Sequence, residues 1–355
     1  METLSKKRIA LFFGGQSTEH EVSCVSAVTI AEALDPALYD VELIGITKNG
    51  RWLAVPDTEA IKSGAWKDSK VSVLLAPDAG ARTLIKYGED GVYQTEVIDV
   101  AFPALHGRFG EDGTIQGLFE LAGIPYVGCG VIASAISMDK WYTKQVVDHL
   151  GIRQADYVGV KKEEFEQDMD AVLDRVEAKL PYPVFVKPCN SGSSCGISKA
   201  KNREELAAAL RFAGGHDRKI LVEEAIIGRE LECAVFGTYK GEASGIGEIL
   251  AAADFYDYDA KYNNPESMTV IDPEVPEGVR EEIRADAVKI FEAVDGFGLA
   301  RVDFFYDTQA GEVVFNEINT LPGFTGISMY PMLQEAYGRD RRSLVGALVE
   351  MADQR

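Results

Sequence analysis

A short apolar run closed by two glycines places the strongest constraint on how this chain can begin to fold. Ile9–Phe13 is uninterrupted and apolar, and Gly14-Gly15 follows it directly. Such a run is typical of a parallel strand that is buried on both faces. Apolar residues then recur at helical spacing, at Ala27, Ile30, Ala31 and Leu34. Strand, glycine turn and helix in this order predict a doubly wound α/β domain.

The middle third of the chain has the pattern of an α+β fold. Val184–Lys187 is predicted as a strand that returns at Gly196–Lys199 across a glycine-rich turn. One helix is predicted around Met138–Leu150, and another at Arg203–Ala213, which Gly214-Gly215 would end. The regular alternation of a Rossmann-type domain is not continued here.

The length of the chain predicts more than one domain. Its 355 residues exceed what one hydrophobic core usually spans. The first boundary is expected between residues 105 and 130. The predicted domains are an α/β domain at 1–127, a central α+β domain at 128–225 and a C-terminal α+β domain at 226–355.

Charge and cysteine content limit the classes of partner. The formal net charge of −21 argues against nucleic acid and anionic membrane surfaces, because both require a basic footprint. A phosphate ligand is still possible, since a local cluster of Lys and Arg can reverse the potential inside a cleft. Five cysteines without a CxxC pair predict reduced thiols in a cytoplasmic protein. No apolar run approaches the ~20 residues that span a bilayer.

Two predicted strands near the C-terminus carry the strongest chemical signal. Arg301 and Asp303 share one face of the first strand, and Glu317 and Asn319 share one face of the second. If the connection at 307–311 closes symmetrically, Arg301 lies opposite Glu317, and Asp303 lies diagonally about 7–8 Å from Glu317. Two carboxylates and an amide oxygen suit Mg²⁺ that carries substrate phosphates. The alternative is a surface salt bridge on a solvated sheet face.

A loop of mostly small residues at 188–196 follows Lys187. Small residues let backbone N–H groups approach phosphate oxygens, and Lys187 and Lys199 add positive charge. The GxxxxGK[ST] pattern of a Walker A loop is absent from the sequence. The alternative is a hairpin loop with a structural role only.

Two polar segments of the N-terminal domain are further candidates. Glu19 follows the glycine turn at the carboxyl end of the first strand, where open α/β sheets bind small ligands. It is suited to hold a substrate ammonium group, or it complements the dipole of the following helix. His106 is either a loop histidine or a polar group of the site.

Several polar and glycine-containing segments are spread along the chain from about residue 8 to 350. They are Gly14–Ser23, His106–Gly113, Met138–Lys140, Val186–Pro188 with Gly192–Gly196, Asp257–Tyr262, Arg301–Asp303 and Asn316–Gly323. Together and in this order they resemble the D-alanine–D-alanine ligase family of the ATP-grasp superfamily. The resemblance implies an ATP-grasp fold, in which two α+β domains sandwich ATP next to an N-terminal α/β domain.

The resemblance also implies roles for the matching residues. ATP would be held by Lys140, Lys187, Ser194, Glu223, Ala225, Ile226, Glu230 and Lys261. Both amino-acid substrates would be held by Glu19, His106, Arg301, Gly323, Ser328 and Met329. Catalytic roles would fall to Glu19, Ser193, Tyr262, Arg301 and Gly323, with Glu19, Ser193 and Tyr262 in one network. Two Mg²⁺ ions, replaceable by Mn²⁺, would be bound by Asp303, Glu317 and Asn319. The aromatic segment 254–265 would close over the site.

The implied reaction joins two D-alanines to D-alanyl-D-alanine, through D-alanyl phosphate and at the expense of ATP, for peptidoglycan synthesis. The family also implies a homodimer. One alternative is a sister ligase that makes D-alanyl-D-lactate or D-alanyl-D-serine, although Lys261-Tyr262 resembles the dipeptide-forming members. Another is an ATP-grasp ligase with a different acceptor. The third is a non-catalytic nucleotide-binding regulator, which would not need Arg301 beside three metal ligands.

Overall fold

A computed structural model describes residues 5–193, 195–250 and 268–355 of the chain. Within these ranges the strands form three sheets of seven, four and five strands. The predicted lid segment 254–265 lies outside the described residues.

The first sheet has the strand order β6-β5-β4-β3-β2-β1-β7. Its strands are β1 (Lys7–Gly14), β2 (Tyr39–Ile46), β3 (Trp52–Val55), β4 (Ser72–Leu75), β5 (Thr83–Tyr87), β6 (Tyr93–Val97) and β7 (Val100–Ala104). Strand β1 is parallel to both β2 and β7, as its continuous apolar run predicts. From β2 to β6 each neighbouring pair is antiparallel. This antiparallel extension of the parallel sheet is a feature that the sequence analysis did not predict.

Helices α1 (His20–Ala33), α2 (Thr58–Ser63) and α3 (Thr114–Leu121) belong to the same part of the chain, with a short 3₁₀ helix at Ala65–Asp68. Gly14 ends β1 with φ = 87°, and a Cβ atom at Gly14 would collide with the carbonyl oxygen of Ile46. Only glycine fits this turn, which delivers the chain to Glu19 at the start of α1.

The second sheet has the order β10-β9-β11-β8 and is antiparallel throughout. Its elements are β8 (Tyr157–Lys161), α6 (Lys162–Gln167), α7 (Met169–Glu177), β9 (Val184–Pro188), β10 (Ser198–Ala200), α8 (Arg203–Ala213) and β11 (Lys219–Glu224). The predicted helix at Arg203–Ala213 is confirmed, and so is the strand return across the glycine-rich loop.

The helix predicted around Met138–Leu150 is wrong at its start, because the structure has two helices there. These are α4 (Val131–Met138) and α5 (Lys140–Leu150). Asp139 separates them in an extended conformation, and its side chain accepts hydrogen bonds from the backbone N–H groups of Trp141 and Tyr142. Asp139 is therefore an N-cap that starts a new helix rather than a helix-interior residue.

The third sheet has the order β14-β13-β12-β15-β16. Its elements are β12 (Arg229–Gly237), β13 (Gly241–Leu250), β14 (Met268–Ile271), α9 (Glu277–Ala293), β15 (Gly298–Asp307), β16 (Glu312–Asn319), α10 (Met329–Ala336) and α11 (Arg341–Ala352). The strands predicted at 300–306 and 312–319 are both present.

Buried apolar residues connect the first sheet to the third. Leu11 and Phe13 of β1 belong to the same core cluster as Phe236 of β12, Tyr330 of α10 and Leu348 of α11. The second sheet has a core of its own, built on Val160, Val186 and Leu210 among others. A cleft between the second and third sheets thus separates two independently packed units. Among the described helices, none is long and apolar enough to cross a membrane.

Candidate active site

A cavity of about 540 Å³ lies between the second and third sheets. Strands of both sheets and the start of α5 line it. Six of the residues predicted to bind ATP are in its wall: Lys140, Lys187, Glu223, Ala225, Ile226 and Glu230. Its volume falls in the range of small-molecule and cofactor sites. The remaining two predicted ATP-binding residues, Ser194 and Lys261, lie outside the described residues.

Glu223 is a buried carboxylate on β11 that is held by two lysines. Lys144 Nζ lies 2.7 Å from Glu223 Oε1, and Lys187 Nζ lies 2.6 Å from Glu223 Oε2. Burial acts to raise the pKa of Glu223, but the two ammonium groups lower it to about 2. Glu223 is therefore an ionised hydrogen-bond acceptor at neutral pH. The sequence alone does not identify Lys144, because a lysine in the middle of a helix ordinarily lies on the solvated face.

Lys140 is the first residue of α5 and connects two elements of the cavity wall. Its Nζ donates a 2.8 Å hydrogen bond to the Ser191 carbonyl of the small-residue loop and lies 3.7 Å from Glu317 Oε2. The backbone N–H of Lys140 is anchored on the Cys189 carbonyl at 3.1 Å. Lys140 and Lys187 thus place two ammonium groups in the wall of the cavity, where they can contact anionic phosphates.

The strand pair β15–β16 brings the predicted metal-binding residues together, but its predicted register is wrong. Arg301 lies opposite Asn319, and Asp303 lies directly opposite Glu317 rather than diagonal to it. The hairpin closes with the pair Asp307–Glu312, and a register shift follows between Asp303 and Phe304. At this irregularity β16 has one extra residue without a partner on β15, whereas symmetric closure pairs every residue.

Arg301 is enclosed by carboxylates on this face of the sheet. Its Nε and one terminal nitrogen bind the two oxygens of Asp303 at 2.8 and 2.7 Å. Glu232, on the neighbouring strand β12, lies 3.0 Å from Arg301 Nε. Asn319 Nδ2 donates a 2.9 Å hydrogen bond to Asp303. Burial opposes the charge of Arg301, yet the acidic neighbours raise its pKa well above the usual value, so this guanidinium stays charged.

Glu232 was missed by the sequence analysis. A signal was present in the sequence, because Glu230 and Glu232 are two positions apart and so share one face of β12. The contact between Glu232 and Arg301 follows only from the pairing of Glu232 with Asp303 across β12 and β15. That pairing joins segments about 70 residues apart in the chain and cannot be obtained from local spacing.

The chemistry of the donor set fits a divalent cation. Asp303 and Glu317 offer carboxylate oxygens and Asn319 offers an amide oxygen, which are the hard ligands that Mg²⁺ prefers. Within the described part of the chain, groups of three or more His, Cys, Asp or Glu with metal-binding geometry do not occur. The set is thus a small one, typical of an ion that takes its other ligands from water and phosphate.

Glu19 is contacted from the small-residue loop at the other side of the site. Ser193 Oγ donates a 2.6 Å hydrogen bond to Glu19 Oε1. Two glycines lie close to the same carboxylate, since a Cβ atom at Gly107 or Gly192 would stand 2.5 or 2.6 Å from Glu19 Oε2. The structure thus brings Glu19 and Ser193 together, as the resemblance implies. Tyr262, the third residue of the implied network, lies outside the described residues.

His106 ties the first sheet to the segment that follows β16. One ring nitrogen, Nδ1, lies 2.8 Å from the carbonyl oxygen of Leu321, and Nε2 lies 3.0 Å from Ser26 Oγ. Ser26 Oγ also accepts a 3.1 Å hydrogen bond from the Phe324 backbone N–H. His106 is buried. Through these contacts His106 stabilises the backbone on both sides of Gly323.

Glu111 reinforces the same connection and was also missed from the sequence. Its two carboxyl oxygens accept hydrogen bonds from the N–H groups of Gly107, at 2.8 Å, and Leu321, at 2.9 Å. Desolvation, followed by the charge of Glu19, raises the pKa of Glu111 to about 7. The motif His106–Gly113 contains Glu111, but its two backbone partners are visible only in the fold.

Gly323, Ser328 and Met329 come together at the start of α10. Ser328 precedes the helix, and Met329 is its first residue and is buried. Ser328 Oγ accepts a hydrogen bond from the Thr325 N–H at 3.0 Å. A Cβ atom at Gly323 would stand 2.8 Å from Ser328 Oγ. The backbone N–H groups at a helix start can bind an anion such as a carboxylate.

The fold and the site together define an ATP-grasp enzyme: two α+β units enclose a nucleotide-sized cavity that has lysines at one end and a buried arginine–carboxylate cluster beside them. The family model for the N-terminus of D-Ala–D-Ala ligases matches residues 8–129, and that for the C-terminus matches residues 146–350. The chain therefore belongs to the D-alanine–D-alanine ligase family, which confirms the resemblance.

Individual relatives agree over nearly the whole chain. The D-alanine–D-alanine ligase of Acetivibrio thermocellus is 49% identical over 99% of this chain and 96% of that protein. The one of Clostridium acetobutylicum is 46% identical over 99% of both chains. Among solved structures, the VanG D-Ala:D-Ser ligase of Enterococcus faecalis superposes with a TM-score of 0.88 at 36% identity, covering 98% of this chain and 100% of that chain. The D-alanine–D-alanine ligase of Coxiella burnetii has a TM-score of 0.83 at 35% identity, covering 99% and 96%.

Proposed function

We propose that this protein is an ADP-forming ligase that joins two D-alanines to D-alanyl-D-alanine for peptidoglycan synthesis. The observation that carries this proposal is the cluster of Arg301, Asp303 and Glu317 next to the lysine-lined end of the cavity. A nucleotide-binding regulator gains nothing from burying an arginine among carboxylates at that point. An enzyme that neutralises charge on a transferring phosphoryl group does.

The reaction proceeds in two steps. A free carboxylate is a poor electrophile, so a carboxylate oxygen of the first D-alanine takes the γ-phosphoryl group of ATP, which gives D-alanyl phosphate and ADP. The amine of the second D-alanine then attacks the acyl carbon, phosphate leaves, and the amine loses a proton. Positioning and charge neutralisation supply most of the rate enhancement.

The nucleotide occupies the cavity between the second and third sheets. Lys140 and Lys187 contact the phosphates, and the family resemblance adds Ser194 and Lys261 to the ATP-binding residues. Glu223 and Glu230, together with the backbone of Ala225 and Ile226, hold the adenine and ribose. Support for this orientation comes from the two lysines in the cavity wall and the ionised acceptor at Glu223.

The two D-alanines lie on the other side of the Arg301 cluster. Glu19, oriented by Ser193, holds the ammonium group of the first substrate, in a network that includes Tyr262. Arg301 and the backbone N–H of Gly323 stabilise the negative charge that develops on the reacting carboxyl group. Ser328 and Met329 bind the carboxylate of the second D-alanine, and His106 supports the intervening backbone.

Asp303, Glu317 and Asn319 would hold two Mg²⁺ ions, for which Mn²⁺ could substitute. When bound, the ions would neutralise negative charge on the ATP phosphates. We further propose domains at 1–127, 128–225 and 226–355, a homodimeric assembly and a cytoplasmic location. The extent of the two family matches supports the first boundary.

Phosphate release from ATP tests the proposal when D-alanine, D-serine, D-lactate and L-alanine are compared with product identification. Release with D-alanine alone, yielding D-alanyl-D-alanine, is expected. A D-serine acceptor is the second candidate, because the structurally similar VanG enzyme is a D-Ala:D-Ser ligase. A mixed dipeptide as the main product would favour that alternative. ATP binding without any amino-acid-dependent release of phosphate would favour a non-catalytic nucleotide-binding regulator.

A further inference from the structure

Lys144 is a buried ammonium group that the proposed mechanism does not use. It projects from α5, and its side chain is only 3% exposed. Its Nζ lies 2.7 Å from Glu223 Oε1 and donates a 3.1 Å hydrogen bond to the carbonyl of Ala155. The centre of the Tyr157 ring lies 5.2 Å from the same Nζ atom. A charge buried at this depth is costly unless it is tightly paired.

The two lysines that hold Glu223 differ in their access to the cavity. Lys187 is 16% exposed and lines the cavity, so it can contact a bound nucleotide directly. Lys144 is enclosed by Glu223, Ala155 and Tyr157. A nucleotide can therefore compete with Glu223 for the ammonium of Lys187, but it affects Lys144 only through Glu223.

We propose that Lys144 is a positioning residue for the nucleotide, which fixes Glu223 as an ionised acceptor and so leaves Lys187 able to contact phosphate. The charges follow this division of work. Two ammonium groups share the carboxylate of Glu223 in the structure, so Glu223 does not depend on Lys187 alone for a cationic partner. Without Lys144, that carboxylate has Lys187 as its remaining ammonium partner, and the lysine needed by the phosphates is drawn back to the protein.

The proposal rests on the assignment of this cavity to ATP, and it predicts a specific kinetic pattern. Lys144→Met keeps the length and apolar stem of the side chain but removes the charge. A hydrogen bond to a charged group contributes enough to expect a 10- to 100-fold rise in the KM for ATP. The KM for D-alanine should change less than about threefold, because the contacts of Glu19 are in another part of the site.

A double-mutant cycle with Glu223→Gln distinguishes positioning from a general structural role. If Lys144 acts through Glu223, Lys144→Met weakens binding of a non-hydrolysable ATP analogue 10- to 100-fold in the wild-type background. It should change binding less than about threefold when Glu223 is already Gln. Equal losses in both backgrounds, or no loss in either, would overturn the proposal. Lys86→Met is the matched control, because Lys86 is also a shielded lysine between two glutamates, Glu42 and Glu96, in the first sheet.

Two features keep the experiment decisive. Should the single variant fail to fold, the double variant, which removes the charges of Lys144 and Glu223 together, is compared with Glu223→Gln alone. A further tenfold loss of analogue binding there contradicts the proposal, and equal binding supports it. Calorimetric titration of the analogue needs no turnover. A wild-type protein that binds the analogue but makes no dipeptide would contradict the proposed function and leave the role of Lys144 separately measurable.

Discussion

Ser193 donates a 2.6 Å hydrogen bond to Glu19, which joins the small-residue loop of the second sheet to the start of α1 beside the first sheet. The two residues are 174 positions apart in the chain. Ser193 has φ = 47°, a left-handed conformation that non-glycine residues seldom adopt. The loop proposed to hold ATP phosphates is thereby connected to the carboxylate proposed to hold the first D-alanine.

Ser193→Ala should loosen the orientation of Glu19. The lost hydrogen bond to a charged group corresponds to a rise of about 10- to 100-fold in the KM for the first D-alanine. Steady-state kinetics with D-alanine as the varied substrate measure this effect. Ser69→Ala is the control, because Ser69 Oγ bonds to the Ala54 carbonyl and the Val71 backbone N–H beside the first sheet. An unchanged KM in Ser193→Ala would argue against the Glu19–Ser193 network.

Gly192→Ala should disturb the same carboxylate by a different route. The added methyl group would stand 2.6 Å from Glu19 Oε2, so either the loop or Glu19 must move. Overpacking of this kind typically costs about 1–3 kcal/mol, and we expect the KM for D-alanine to rise about tenfold. Gly117→Ala is a matched control in α3, where the new methyl group would have no atom within 4 Å apart from the local backbone of its own helix. Equal kinetics for the two variants would show that the closeness of Gly192 to Glu19 is unimportant.

Glu317→Ala should abolish most phosphate release while the fold is retained. Loss of a ligand that stabilises transferring phosphate by several kcal/mol corresponds to about 10²–10⁴-fold in rate. Glu312→Ala, on the exposed end of the same strand, should retain wild-type rates. Circular dichroism checks the fold of both variants. Turnover close to wild type in Glu317→Ala would remove the metal assignment.

Glu111 should make stability depend on pH in a defined window. Its pKa is about 7 in the folded protein, above its ordinary value of 4.5. Below pH 4.5 the carboxyl group is protonated in both folded and unfolded chains. Between pH 4.5 and 7 the unfolded chain releases the proton first, so stability falls as pH rises, by up to about 3 kcal/mol in total. Glu111→Gln cannot titrate.

The thermal unfolding midpoint measures this contribution as a difference. The midpoint of wild type minus that of Glu111→Gln should decrease from pH 5 to pH 8, because only the wild type loses stability through this group. A difference that is constant or increases over the same range would contradict the raised pKa. At any single pH, the difference in midpoint also contains the effect of the lost hydrogen bond to Gly107 or Leu321. The comparison uses only the change of this difference with pH.

Elements with a strong local pattern could be predicted from the sequence. The apolar run Ile9–Phe13 predicted a buried parallel strand. The alternation along β15 and β16 predicted that the residues of the Arg301 cluster come together on one side of this strand pair, although not which of them pair. The helix start at Asp139 was missed, because its capping role competes with a continuous helical pattern. In each case the evidence available was the spacing of residues within one segment.

Features that depend on contacts between distant segments could not be predicted in the same way. The register of β15 and β16 differs from symmetric closure for two reasons: the hairpin closes with the pair Asp307–Glu312, and one irregularity follows beside Asp303. Glu232 enters the Arg301 cluster through the pairing of β12 with β15. Lys144 gains its importance from a carboxylate on β11. None of these partners is determined by local spacing, whereas the family resemblance supplied most of the remaining site residues.

The most direct test of the central claim is the stoichiometry of the reaction with ATP, Mg²⁺ and D-alanine. We predict one phosphate and one D-alanyl-D-alanine per ATP consumed, with no phosphate release when D-alanine is replaced by L-alanine. ATP hydrolysis that is independent of D-alanine, or a dipeptide-free reaction mixture after ATP has been consumed, would contradict the assignment of this protein as a D-alanyl-D-alanine-forming ligase.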